Sequence, residues 1–380
     1  MKNFIPFGSP ILDKSEFSLV EDVLKSGILV HGKMTSDFEK EFAEMIGVKN
    51  AIAVSSCTAG MHLGLFISEI AYGAKVAVPA MTHVATAHVV ELQGGQPIFI
   101  DVNKVTGNIC TKKLREVAKS TKLDAIIPVH YLGLPCEMDE INNIAKINNS
   151  LVIEDCALSL SATYKNKQTG SLGDLGSFSF YPVKHITSIE GGMVTTNNDE
   201  IARKIRKARA FGYNKSLGER SRPGLYDVDS LGFNYRMNEI EAAVGLCQLK
   251  KLDKFLIARE RNYKVLYEKI SNIKGLWKFP SKTKFSNSSH YCFNIVLEEN
   301  NSFKRDELQD KLKELNIGTS IHYPGAVPLF SYYKNKYNFK KGDFPIAEWL
   351  AANTISLSIG PHINSNQIEE MANTIVNLFK

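Results

Sequence analysis

Seven short apolar runs punctuate the first half of the chain, at residues 51–55, 76–79, 97–101, 125–129, 151–154, 177–181 and 192–196. Most are β-branched or aromatic and too short for buried helices. Between several of them lie amphipathic stretches with helical spacing, such as 112–119 and 138–147. This alternation constrains the fold to an α/β layer, with a mostly parallel sheet covered on both faces. In such sheets, binding sites form in the loops at one end of the strands. That rule places 56–58, 82–86, Asp155 and Lys184 in candidate site loops.

Beyond the sheet, residues 238 to about 269 carry a long helical pattern with an apolar stripe of Ala242, Ala243, Leu246, Leu249 and Leu252. It reads as a spine joining two domains. A strand at 289–297, a helix at 303–315, a strand at 319–323 and a last helix at 367–378 follow. With 380 residues the chain exceeds one compact core. We expect a large domain over 1–250 and a smaller C-terminal α/β domain over 251–380.

Charge and cysteine usage narrow the function classes. The net charge of +6 is too small and too dispersed for a nucleic-acid protein. One basic cluster stands out: Arg203, Lys204, Arg206, Lys207, Arg209, Lys215, Arg220 and Arg222. It is either a solvated helix face or a field that attracts an anionic substrate. The six cysteines, Cys57, Cys110, Cys136, Cys156, Cys247 and Cys292, have no CxxC spacing and no metal-ligand pattern with histidine. We expect reduced thiols, no metal and a cytoplasmic protein. No apolar run suits a signal peptide or approaches the ~20 residues of a spanning helix, so no membrane partner is expected.

The chemistry converges on Lys184. It follows the 177–181 run, sits among small and apolar residues, and precedes Glu190-Gly191-Gly192, a turn where backbone passes close to something. Asp155 closes an earlier run. A carboxylate at a strand end is often a helix N-cap. Paired with a lysine past a neighbouring strand, it suits pyridoxal 5'-phosphate (PLP) better. The amine would form a Schiff base with the cofactor aldehyde, and the carboxylate would keep the pyridine nitrogen protonated. Burial should depress the lysine and free its amine. Ser55-Ser56-Cys57-Thr58-Ala59-Gly60 leads into a helix, and free N–H groups there suit a phosphate, although simple capping gives the same composition. Ser179 is placed to reach the same phosphate.

These segments together resemble the DegT/DnrJ/EryC1/StrS family of PLP-dependent sugar aminotransferases, nearly end to end. Ser26-Gly27 with Gly32 and Phe38-Glu39 resemble the family's opening, and Ser56-Cys57-Thr58-Ala59 its phosphate loop. Pro79 to Thr86 resembles the segment over the cofactor ring. Val129-His130-Tyr131-Leu132-Gly133, Gly173-Asp174-Leu175-Gly176, Ser179…Lys184…Glu190-Gly191-Gly192, Gly232-Phe233-Asn234-Tyr235-Arg236-Met237 and His322-Tyr323 carry the likeness onward. The resemblance implies a type I PLP aminotransferase fold, with a mostly parallel seven-stranded sheet and a smaller C-terminal α/β domain.

By the same resemblance, Lys184 is the Schiff-base lysine and Asp155 pairs with the ring nitrogen. Cys57, Thr58 and Ser179 lie at the phosphate. His83 stacks on the ring, and His185 and Tyr323 meet the substrate. Asn234 reaches the neighbouring subunit's phosphate, so a homodimer is expected. Three positions depart from the family pattern. Cys57 replaces a glycine, His83 stands where an aromatic ring usually stacks, and Leu158 stands where a His or Gln usually meets the ring hydroxyl. The implied reaction is a two-stage transfer of an amino group from L-glutamate to a keto-sugar, commonly nucleotide-linked. A PLP-dependent sugar dehydratase of the same family would carry histidine in place of Lys184. A PLP-binding regulator without turnover is the other alternative. The loops 212–225 and 322–329 are expected to shape the acceptor pocket.

Overall fold

The computed structural model describes residues 4–214, 222, 224–299 and 301–380. All seven apolar runs enter one sheet. Its order is Asn50–Val54, Gly192–Thr196, Leu175–Ser179, Leu151–Asp155, Ala125–Ile126, Lys75–Pro79 and Gln96–Ile100. Gly192–Thr196 runs antiparallel to both of its neighbours, and the remaining pairings are parallel. The strand Leu175–Ser179 lies two residues earlier than the sequence suggests. The run expected at 125–129 is regular only over Ala125–Ile126. Pro128 has no N–H to give a ladder, and that end is held by a single bridge from Val129 to Asp155.

Strand side chains alternate between two buried faces. Ile52 and Val54 join one core cluster, whereas Ala51 and Ala53 join another with Phe38, Phe42, Phe178 and Phe180. Burial on both faces explains why the runs read as continuously apolar. The helix Cys57–Ile67 starts directly after the first strand and is almost entirely buried, because it packs on the sheet beneath helix Val84–Leu92.

The spine is two helices rather than one. Glu239–Lys250 ends and Leu252–Ile270 begins at Lys251, which serves as C-cap of the first and N-cap of the second. Lys251 is held there by Glu16, whose two carboxylate oxygens each accept from its Nζ at 2.7 Å. Beyond the break lies a four-stranded antiparallel sheet, ordered Leu276–Lys278, Phe293–Leu297, Thr354–Leu357 and Thr319–Ser320. Helices Arg305–Glu314 and Ser365–Leu378 pack with it around Leu308, Leu312, Ile355 and Ile368. The expected strand at 319–323 thus shortens to two residues. Ile5, at the start of the chain, bridges to Ile317 and belongs to this second core.

Candidate active site

The parallel strands end on one side of the sheet, and Cys57, His83, Asp155, Lys184 and Tyr323 gather there. Asp155 is the last residue of Leu151–Asp155 and is buried. Its neighbour Glu154 points to the opposite face, as the alternation of a strand requires. There Glu154 accepts from the backbone N–H groups of Gly170, Leu172 and Gly173 at 2.7–2.9 Å. His130 Nε2 donates to it at 2.8 Å while His130 Nδ1 accepts from Cys136 N at 3.1 Å. A ring that accepts on one nitrogen and donates on the other is a neutral imidazole. His130, Glu154 and Cys156 are close enough together to suggest a cation site. However, His130 has no lone pair left for a metal, and Glu154 is saturated by donors. The Glu154-Asp155 pair therefore divides into a structural acid and a site acid.

Asp155 is fixed from two sides. Thr86 Oγ1 donates to Oδ2 at 2.9 Å, and Ala157 N donates to Oδ1 at 3.1 Å. The Cys57 thiol lies 3.9 Å from Oδ1 and donates to Ser177 O at 3.3 Å. Burial beside Asp155 pushes that thiol well up, so Cys57 is an inert, protonated packing group.

Lys184 sits in the turn after Leu175–Ser179, with its N–H bonded to Tyr181 O at 2.9 Å. Its Nζ lies 5.2 Å from the centre of the Tyr291 ring. Burial pushes the amine below its ordinary value, with Cys57, Asp155 and Cys292 pulling the other way. The expected depression is therefore present, and Lys184 and Asp155 share one electrostatic environment.

The phosphate side is built around Gly192. Ser56 caps the helix Cys57–Ile67 by accepting from Ala59 N at 3.0 Å, which leaves the first N–H groups and the half-buried Thr58 at the helix start. Ser179 pairs with Gly192 in the sheet. A Cβ at Gly192 would stand 2.5 Å from Ser56 C and 2.6 Å from Cys57 N, so only glycine lets the strand meet the helix start. This cradle suits a phosphate, Asp155 suits a ring nitrogen and Lys184 an aldehyde; the residues present fit PLP.

Other expectations resolve unevenly. His83 caps helix Val84–Leu92, its Nδ1 accepting from Ala85 N at 3.2 Å. Its ring meets Tyr323 edge-on at 6.1 Å, and burial in the cleft lowers it below its ordinary value. Tyr323 packs against Tyr131 and His83, and burial raises its hydroxyl well above the usual range, with Asp155 adding to it. His185 turns away. It is 3% exposed, bonded through Nε2 to Ser289 O at 3.0 Å, which gives no support to a substrate contact. Leu158 is buried and apolar, so the ring-hydroxyl contact is absent at that position. Asn234 is exposed on a segment bridged to Ala210.

Three of the six described members of the basic cluster are ion-paired. Arg203 pairs with Glu200, Lys207 with Asp229 and Arg209 with Glu39, and Arg206 bonds to Asn50. This favours the solvated-face reading. Lys215, Arg220 and much of the 212–225 loop lie outside the described residues. The six cysteines are free thiols. Sequence reasoning missed the roles of Thr86 and Tyr291. Thr86 had a signal, because it stands one helical turn after Thr82 on the sheet side. Tyr291 had none, since it arrives from the second half of the chain.

The profile of the DegT/DnrJ/EryC1/StrS aminotransferase family matches residues 10–376. The spore coat polysaccharide biosynthesis protein SpsC of Bacillus subtilis is 35% identical over 385 residues, covering 100% of this chain and 98% of that protein. Among solved structures, Helicobacter pylori PseC, an aminotransferase involved in the biosynthesis of pseudoaminic acid, superposes with TM-score 0.91 at 26% identity, over 100% of this chain and 99% of PseC. The PLP-form of Spr1654 from Streptococcus pneumoniae has TM-score 0.91 at 25% identity, over 99% of this chain and 98% of that one.

Proposed function

This chain belongs to the DegT/DnrJ/EryC1/StrS aminotransferase family, and from that premise we propose that it moves an amino group from L-glutamate to a nucleotide-linked keto-sugar, making an amino sugar for a surface polysaccharide or a glycosylated metabolite. The chain has the type I fold and is a PLP-dependent sugar aminotransferase. The observation that carries the proposal is the pairing of Lys184 with Asp155 at the ends of neighbouring strands. A lysine there can carry protons, and it favours transamination over dehydration.

Bound in this cleft, PLP would supply an aldehyde and an electron-accepting pyridinium ring. Thr58, Ser179 and the helix start would hold its phosphate, and Asp155 its ring nitrogen. Burial lowers the Lys184 amine from its ordinary value, which suits it to take the proton from the donor Cα. In each half of the cycle Lys184 takes one proton and gives it up again, first as base and then as acid, and the last such transfer is to the acceptor carbon. Tyr291, Tyr323 and His83 wall the cleft and limit water around the amine.

A homodimer in which Asn234 reaches the partner's site belongs to the same reading. Asn234 is exposed, and so are the apolar side chains of Tyr181, Ile189 and Leu231 around Lys184 and Asn234 in sequence. We place the division into 1–250 and 251–380 at the helix break. No helix among the described residues is long and apolar enough to cross a membrane; a cytoplasmic location is part of the proposal. The test is a panel of nucleotide-linked keto-sugars, free keto-cyclitols and keto-sugar acids, each with glutamate, read by mass spectrometry. We expect an amino-sugar product and 2-oxoglutarate from a nucleotide-linked member. A product only from an unlinked acceptor would overturn the nucleotide assignment.

A further inference from the structure

Arg259, on helix Leu252–Ile270, is 4% exposed, and among the described residues no carboxylate pairs with it. A buried cation without a counter-ion is costly unless its donors are met. The two terminal nitrogens of Arg259 meet theirs on backbone carbonyls alone. Nη1 donates to Tyr291 O at 2.7 Å and to His290 O at 3.4 Å, and Nη2 donates to Lys184 O at 3.3 Å. Burial pushes the guanidinium down to about 10, with Tyr291 and Cys292 pulling it up.

The two segments it joins are those that carry the reacting amine and the ring beneath it. Lys184 Nζ lies over the Tyr291 ring at 5.2 Å. One guanidinium fork therefore sets the spacing between the lysine turn and the small-domain strand entry. A planar fork can reach carbonyls in two directions at once, whereas an ammonium is a point donor. Arg259 Nε has no protein partner, and neither does His185 Nδ1. Both residues line one cavity of about 20 Å³ behind Lys184. His185 Nε2 must carry the proton it gives to Ser289 O, so Nδ1 is an acceptor. The cavity has room for one water.

We propose that Arg259 is a positioning residue for the reaction, tying the Lys184 turn to the Tyr291 segment so that the amine is held where it must react. The inference rests on the reading of Lys184 as the cofactor lysine. The test starts from cofactor-free protein mixed with PLP. The rise of the visible absorbance of lysine-linked cofactor is followed for wild type, Arg259→Met and Arg259→Lys, with melting temperature and kinetics for both substrates. In wild type the amine nitrogen attacks the aldehyde carbon and one water leaves. We expect Arg259→Met to stay folded and bind PLP, but to link it at least about tenfold more slowly, with a similar fall in kcat and little change in KM, the order of loss that misplacing a reacting group brings. Arg259→Lys, which keeps the charge and loses the fork, should fall between the two. Wild-type linkage rates in Arg259→Met would overturn the proposal; should that variant fail to fold, wild-type rates in Arg259→Lys would do so. Absence of the absorbance in wild type would instead refute the reading of Lys184.

Discussion

Thr86 Oγ1 donates a hydrogen bond of 2.9 Å to Asp155 Oδ2, and Thr82 Oγ1 stands 2.8 Å behind it. Thr86 has one hydroxyl hydrogen and gives it to the carboxylate, so Thr82 must be the donor to Thr86. Helix Val84–Leu92 thereby fixes the acid on the neighbouring strand end, with both hydroxyls buried. Replacing Thr86 by Val keeps the shape and removes the donor. A lost hydrogen bond to a buried charged group costs about 1–3 kcal/mol. We expect Thr86→Val to weaken PLP binding about tenfold and Thr86→Ser to recover most of it, measured by fluorescence titration of the cofactor-free protein. Wild-type affinity in Thr86→Val would remove the hydroxyl relay from the account.

Asp155→Asn changes little volume and retains an acceptor toward Thr86, so the fold should survive. It removes the negative charge that faces the ring nitrogen. Losing one preorganised electrostatic partner typically costs about 10²–10³ in kcat. The single-turnover rate with glutamate should fall by at least about a hundredfold on that scale. A rate within a few-fold of wild type would mean that Asp155 only holds the turn after its strand, through Ala157 N.

The phosphate cradle makes a structural prediction. A Cβ at Gly192 would lie 2.5 Å from Ser56 C, 2.6 Å from Cys57 N and 2.7 Å from Phe178 O, all of them backbone atoms that cannot swing away. Overpacking of this kind costs about 1–3 kcal/mol. Gly192→Ala should lower the urea midpoint and, because the strand is pushed off the helix start, also weaken inorganic phosphate and PLP binding. Destabilisation with unchanged PLP affinity would separate Gly192 from the cradle.

Lys184 also makes stability depend on pH. Its folded value is held below 10.5 by burial. Below 10.5 the unfolded chain takes up a proton that the folded chain resists, so the lysine destabilises the cofactor-free fold there. The penalty fades as pH rises to 10.5 and levels off once pH falls through the folded value. Cofactor-free Lys184→Met should therefore have a higher urea midpoint than wild type near neutral pH, with the gain shrinking toward pH 10.5. A gain that is constant with pH would indicate a packing effect.

The sheet was legible because its strands are buried on both faces and bounded by turn residues. All seven apolar runs became strands of it, including the antiparallel Gly192–Thr196. The two-helix spine was misread because Lys251 interrupts the helix without any Gly or Pro to mark it, through an ion pair with Glu16 distant in sequence. Strand Thr354–Leu357 and helices Ser331–Tyr337 and Pro345–Asn353 were not anticipated. Within the site, Asp155 and Lys184 stood out because chemistry demands their types at strand ends. The resemblance assigned His185 to the substrate, and its position gives that assignment no support. Its ring is buried and claimed by Ser289 O. Tyr291 and Arg259 were invisible because their roles exist only once the second half of the chain folds back on the first.

The central claim, that Lys184 carries the cofactor in a transaminase cycle, is tested most directly by borohydride reduction of the PLP-loaded protein, followed by proteolysis and mass spectrometry. The account predicts a single pyridoxyl-modified peptide with the label on Lys184. It also predicts that glutamate added before reduction, without an acceptor, removes the label by carrying the protein into its aminated form. Label on another lysine, or a Lys184 label that glutamate leaves untouched, would contradict it.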